Sequence, residues 1–289
     1  LNGVYSTYEE IKEYLITSGA DRGALVQSDD LLKTLCVDMS RTLDSFCRRS
    51  FIPTRETRTF YHPGADPCQL VLDGDLLQVE TLTHKNGSEA ITSYFLKYGT
   101  SYNRSPARRI ELDQDATITR FAYSGTPQKS ISLTGLWGYH DDWSNAWSQV
   151  GTVQDNPLLV GATSLTVTDA SLFNVQQLLR LGADVDSEMA YITAKDIDQV
   201  SGSDTLTITR GVNGSAAVEQ ANATAIYVYQ PMEDISHALK VFSVYANRRR
   251  GSVGGDDDRS FVSGSGVIVQ ATSLPGEIKA MIKRYKRMV

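Results

Sequence analysis

The sequence predicts an α+β protein: a helical frame, made of a long helix in the N-terminal half plus C-terminal helices, carrying a small β-sheet or sandwich and an inserted all-β domain. Three observations predict it. Apolar residues recur every three or four positions over residues 28–49 and again over 232–250. Between these stretches the period changes to two. Within that β-rich middle, residues 152–230 begin and end near Pro157 and Pro231, so both ends can lie together as an inserted domain requires. The expected domains are a core of 1–151 plus 231–289, an inserted β domain at 152–230, and a flexible loop with a C-terminal docking segment at 251–289.

In the first long helix Leu31, Leu35, Met39, Leu43 and Phe46 share one face, widened by Leu32, Cys36 and Cys47. Ser28 is placed as its cap, Asp29 and Asp30 meet the positive dipole end, and Arg48 and Arg49 meet the negative one. A short helix precedes it. Two overlapping capping boxes, Ser6 with Glu9 and Thr7 with Glu10, start that helix; Tyr8, Ile11, Tyr14 and Leu15 line it; and Ser18-Gly19 ends it.

After Pro53, strands are expected at 57–61, 69–72, 77–84, 91–97, 110–112, 117–123 and 130–136. Asn86-Gly87 is the strongest hairpin signal, in a loop lengthened by Lys85 and Ser88. The inserted domain shows alternation at 164–168, 189–193, 205–209 and 225–229, with a tight turn from Gly211 to Gly214. Pro231 opens the second long helix, with Glu233 and Asp234 in its first turn and Ile235, Leu239, Phe242 and Tyr245 on its apolar face. Residues 251–266, rich in Gly and Ser and holding Asp256, Asp257 and Asp258, predict a flexible loop.

The chain of 289 residues carries 28 Lys and Arg against 34 Asp and Glu, a formal net charge of −6. That balance argues against a surface that clamps nucleic acid all round. Positive charge is local, at Arg48 and Arg49, Arg108 and Arg109, Arg248 to Arg250 and the last eleven residues. No apolar run approaches the roughly 18 residues of a membrane span. No basic region leads into an apolar core at the N-terminus, so no signal peptide is expected. The 3 cysteines form no C-x-x-C pair and predict small buried thiols in a reducing compartment.

The chain contains no P-loop, no dinucleotide-binding glycine pattern, no G-x-S-x-G and no H-E-x-x-H. The four histidines, His62, His84, His140 and His237, fall in different elements. No catalytic residue, metal or cofactor is therefore expected. Residues 139–147 form an aromatic and acidic loop, in which His140, Asp141 and Asp142 invite a metal reading. Adjacent residues rarely converge on one metal, so the loop is expected to be a solvent-exposed contact surface presenting Tyr139, Trp143 and Trp147. The sequons at Asn86, Asn103, Asn213 and Asn222 are expected as turn chemistry.

A final helix carries the apolar stripe Ile278, Met281, Ile282 and Tyr285 among basic residues that include Lys283 and Arg284. A membrane surface, a nucleic acid or another subunit are the three partners such a helix suits. Docking into another subunit is favoured, because the stripe has the compact anchor spacing of a helix laid in a groove.

The order of elements carries a resemblance. A helix ends in CRRSFIP (47–53). Strands then end in VETLTHKNG (79–87) and ITSYFLKYG (91–99), ISLTGLWGY (131–139) follows, and a helix begins PMEDISHALKVFSVYANRRR (231–250). This resembles the head–tail connector (adaptor) proteins of tailed bacteriophages, over about residues 5–137 and 231–250. The stretch from SLTVTDASLF (164–173) to TLTITRGVNGSAA (205–217) looks like a small β module inserted in phage structural proteins.

The resemblance implies a structural virion protein assembled in the host cytoplasm, a homo-oligomeric ring usually of about twelve subunits at the capsid–tail junction. It implies binding to the portal protein through the segment after the last core helix, and a platform for a tail terminator, stopper or other neck protein. Double-stranded DNA would pass through the channel without sequence-specific contact, which suits a net acidic chain. Two other classes stay open. One is a carbohydrate- or receptor-binding virion protein, which needs Trp137, Trp143 and Trp147 in one exposed patch. The other is an enzyme, which needs a pocket where His and carboxylates converge.

Overall fold

Residues 54–229 alternate with period two over most of their length, and in the computed structural model they form two six-stranded antiparallel sheets. The structure describes residues 3–17, 29–98, 106–197, 203–251, 261–262, 268–269 and 276–287, with backbone alone at 244–251, 261–262, 268–269 and 277. Among them are four α-helices, α1 (Tyr8–Thr17), α2 (Asp29–Cys47), α3 (Glu233–Gly251) and α4 (Gly276–Tyr285). The expected helical frame carrying a small sheet is thus corrected: the protein is mostly antiparallel β-sheet. Two long amphipathic stretches are conspicuous in sequence, but they are few beside the strands. No described helix is long and apolar enough to cross a membrane.

By contacts the chain divides into two compact units, one of residues 1–3 and 49–230, the other of 4–48 and 231–289. The sheet that contains the expected inserted domain therefore shares a unit with the first sheet.

In the helical unit Thr7 caps α1, accepting from Glu10 N at 3.3 Å, while Ser6 Oγ donates to the Glu10 carboxylate at 2.6 Å. The core stripe of α2 is Leu32, Leu35, Cys36, Ser40, Leu43 and Cys47. It is rotated from the expected face, so Leu31 and Phe46 are 37% and 38% exposed. Ser40 accounts for the rotation. Its hydroxyl donates to Cys36 O at 2.7 Å and accepts from Tyr5 N at 3.3 Å, so a small, satisfied polar residue lets the N-terminal segment pack on α2. The helix stops at Arg48, which adopts a left-handed φ of 53°. Pro231 stands two residues before α3 instead of opening it, and Ser236 N donates to Met232 O at 2.9 Å. The expected cap Ser28, the stop at Ser18-Gly19 and Asp256–Asp258 lie outside the described residues, as does most of 251–266. Within 251–266 and just beyond it, β13 (Phe261–Val262) and β14 (Ile268–Val269) form a two-residue antiparallel ladder.

The first sheet comprises β1 (Thr54–Phe60), β2 (Gln69–His84), β3 (Glu89–Ala90), β4 (Tyr94–Tyr98), β5 (Ala107–Leu112) and β6 (Ile131–Trp137). Its order is β1-β6-β2-β5-β4, with β3 paired to β2. The two strands expected at 69–72 and 77–84 are one strand, bent by register shifts near Leu76. The return strand expected at 91–97 is split, and β4 pairs with β5. No strand forms at 117–123. There Phe121 N donates to Pro67 O at 2.7 Å and Ala122 N to His84 Nδ1 at 3.1 Å, so loop groups take the place of a ladder. Phe121 plugs the core with Leu76, Ile110, Ile131, Leu133 and Trp137.

The second sheet comprises β7 (Trp147–Thr152), β8 (Ser164–Val167), β9 (Leu178–Leu181), β10 (Glu188–Asp196), β11 (Asp204–Arg210) and β12 (Ala225–Tyr229), in the order β7-β12-β9-β10-β11-β8. It begins at Trp147, before the expected boundary at 152. The turn from Gly211 to Gly214 meets the first sheet: Arg55 N donates to Asn213 O at 2.8 Å. Gly214 has φ of 81°, and a Cβ there would lie 2.0 Å from Arg55 O, so only glycine fits.

Candidate functional site

Two regions hold the residues expected to make contacts. The first is α4, in the helical unit. Its apolar stripe is already covered, with Ile278, Met281 and Tyr285 buried. The helix packs on α3 and α2. Tyr285 Oη donates to Asp234 Oδ2 at 2.8 Å, Arg284 Nη1 donates to the same oxygen at 2.7 Å, and Arg287 N donates to Cys47 O at 2.9 Å. The stripe expected to anchor a partner is therefore spent on the chain's own helices, with Ile282 alone partly exposed. Lys279, Lys283, Arg284 and Lys286 face outward. Beside them a cavity of about 270 Å³ is lined by Asp234, His237, Val241, Ile278 and Met281.

The second region is the aromatic loop. The expectation of a solvent-exposed loop gives way to an ordered turn. Tyr139 is half-buried: its N–H donates to Ser50 O at 2.8 Å, its ring meets Phe51 edge-on at 5.8 Å, and Arg49 lies 4.3 Å from its centre. Burial pushes its phenol pKa up, opposed by the nearby Arg49 charge. His140 is buried, and both its ring nitrogens are engaged. Nδ1 accepts from Asp142 N at 3.1 Å, so Nε2 carries the proton and donates to Gln230 O at 3.0 Å. Asp142 accepts from Ser144 Oγ at 2.7 Å and Asn145 Nδ2 at 2.8 Å, and these bonds, with Asn145 first, hold its carboxyl below the usual range. His140 and Asp142 thus hold the turn together, and no group of three His, Cys, Asp or Glu able to hold a metal occurs among the described residues.

Trp143 and Trp147 are half-buried and stack edge to face at 6.2 Å, and Trp147 meets Tyr229 at 5.3 Å. Trp137 does not join them. It is 3% exposed, with its Nε1 donating to Glu56 O at 3.0 Å. The single exposed patch of three tryptophans required for sugar stacking is not formed.

Arg180 on β9 completes this cluster, and the sequence reading passed over it. Its guanidinium carbon lies 4.9 Å from the Trp147 ring centre and 4.8 Å from that of Tyr227. The available signal was an arginine inside the apolar run Leu178–Leu181. No protein-family model matches the chain, nor does any curated protein or solved structure compared with it.

Proposed function

We propose that the chain is a structural virion protein of the tailed-phage neck, assembling as a ring that binds the portal, extends the DNA channel and offers a platform to the next neck or tail protein. The observation that carries the reading is the course of the chain. A helical unit is built from both ends of the sequence, 4–48 and 231–289, and the whole strand-rich middle leaves after one long helix and returns before the other. That is the element order of the connector family the sequence resembles, including the helix ending at CRRSFIP and the helix begun after Pro231.

With the apolar stripe of α4 covered internally, the portal contact falls to its outward face, where Lys279, Lys283 and Lys286 surround the partly exposed Ile282. Basic side chains on such a face steer encounter with an acidic surface and lose strength as salt screens them. Mass photometry of the protein alone and with the portal tests the reading. A mass of about twelve subunits, alone or on the portal, supports it. A chain that forms no complex with the portal at any salt concentration overturns it.

A further inference from the structure

The cluster around Arg180 has a feature that packing does not explain. In the same unit Arg49, Arg55, Arg58 and Arg210, all partly or fully shielded, each face a carboxylate: Asp75, Glu80, Asp73 and Glu188. Arg180 makes no such ion pair among the described residues, the exposed Asp184 acting on it only from a distance. Its Nε is buried without a hydrogen-bond partner, and so is Nε1 of Trp147, the ring it lies over.

The placement follows from sheet register. Arg180 on β9 stands opposite Tyr227 on β12, and Trp147 on β7 stands opposite Tyr229 two residues along the same strand. Period two then puts all four side chains on one face. The rings hold the guanidinium by cation–π attraction and leave its buried Nε–H without an acceptor. Burial pulls the Arg180 pKa below its ordinary value, while Tyr227 and Asp184 oppose that only in part. A buried guanidinium N–H without an acceptor is unfavourable unless something supplies one.

We propose that Arg180, held over Trp147 and Tyr227, is the receptor for a single carboxylate, with the Trp147 indole N–H as an additional donor. A guanidinium is a planar fork matched to the two oxygens of a carboxylate. One cation balances one negative charge, and the exposed Asp184 carboxylate close enough to act on Arg180 disfavours a doubly charged phosphate. The carboxylate comes from a small acid or from an Asp or Glu side chain of another protein. The proposal stands on the β unit alone and does not depend on ring assembly.

The test uses the full chain and the Trp147 indole N–H resonance, identified by its loss in Trp147→Phe. Sodium acetate, N-acetylglutamate amide, phosphate and chloride are titrated at constant ionic strength. The expected result is a saturable shift with acetate that is absent in Arg180→Gln, and about tenfold weaker binding in Arg180→Lys, which keeps the charge and loses the fork. A shift with the blocked glutamate as well assigns the site to a protein side chain; a shift with acetate alone assigns it to a small acid. Should Arg180→Gln fail to fold, Trp147→Phe keeps the test. It retains an aromatic ring and removes the indole donor, so acetate binding followed by the Arg180 Nε–H resonance should weaken several-fold. No saturable shift in the wild type, an equal response to chloride or phosphate, or unchanged acetate binding in the folded variants overturns the proposal.

Discussion

The hydroxyl of Tyr229 donates to the backbone carbonyl of Phe51 at 2.5 Å, joining positions 178 residues apart. Phe51 follows the point where the chain enters the β unit, and Tyr229 precedes the point where it leaves. Tyr139 N donates to Ser50 O at 2.8 Å and Gln230 N to Ala146 O at 2.8 Å, so the crossing points and the aromatic turn are tied by main-chain bonds. Tyr229→Phe keeps the ring and leaves this buried carbonyl without that donor. It should cost about 1–2 kcal/mol, or roughly 2–8 °C in melting temperature, read by thermal denaturation. An unchanged melt would mean that the bond contributes nothing to closing the unit.

The second sheet has its own internal lock. Arg210 and Glu188 are 4% and 0% exposed at the side chain and pair within it. Glu188 also accepts from Val218 N at 3.2 Å and Gln220 Nε2 at 3.4 Å. Glu188→Gln leaves a buried guanidinium without its counter-charge and should destabilise by about 3–5 kcal/mol in urea denaturation. A loss below about 1 kcal/mol would show that the pair is solvated and replaceable.

Cys36 is buried in the helical unit, and burial pushes its thiol pKa up to about 12 from 9.0. The sign follows from proton binding. Between these values the unfolded thiol has lost its proton while the folded one keeps it, so the stabilising contribution is complete below pH 9 and is lost as pH rises towards 12. Stability should fall there with a slope of about 1.4 kcal/mol per pH unit from this group, a component missing in Cys36→Ala. Iodoacetamide at pH 8 should label the partly exposed Cys68 and spare Cys36 and Cys47, which are buried. Labelling of Cys36 at the Cys68 rate would contradict its burial.

Ile278 is 0% exposed beneath α4, whereas Lys283 points outward. Ile278→Ser should therefore destabilise the helical unit by about 2–4 kcal/mol, seen in the helical circular dichroism signal on heating. Lys283→Gln with Lys286→Gln should leave that melt unchanged and slow portal attachment mainly at low salt. A stable Ile278→Ser protein that fails only in attachment would return the apolar stripe to the partner.

Helix spacing was legible wherever the apolar period was unbroken: Leu35, Cys36, Leu43 and Cys47 are buried as expected. So was turn chemistry, with Asn86 and Gly87 at positive φ, and Asn213 and Gly214 likewise. The sheets were less legible because pairing is not local. Residues 117–123 alternate like a strand, but Phe121 finds its partner in Pro67. Strand β7 hid behind an aromatic loop, and β9 is four residues long with a charge inside it. The Arg180 cluster depends on strands β7, β9 and β12 lying side by side, an adjacency that no spacing along the chain encodes.

The most direct test of the proposed role is an end-on electron-microscopy view of the protein mixed with the portal protein that this role requires. The account predicts a ring of copies with a central hole, coaxial with the portal and retained over a range of salt. Copies bound singly, without rotational symmetry or an open channel, would contradict it, as would the absence of any complex.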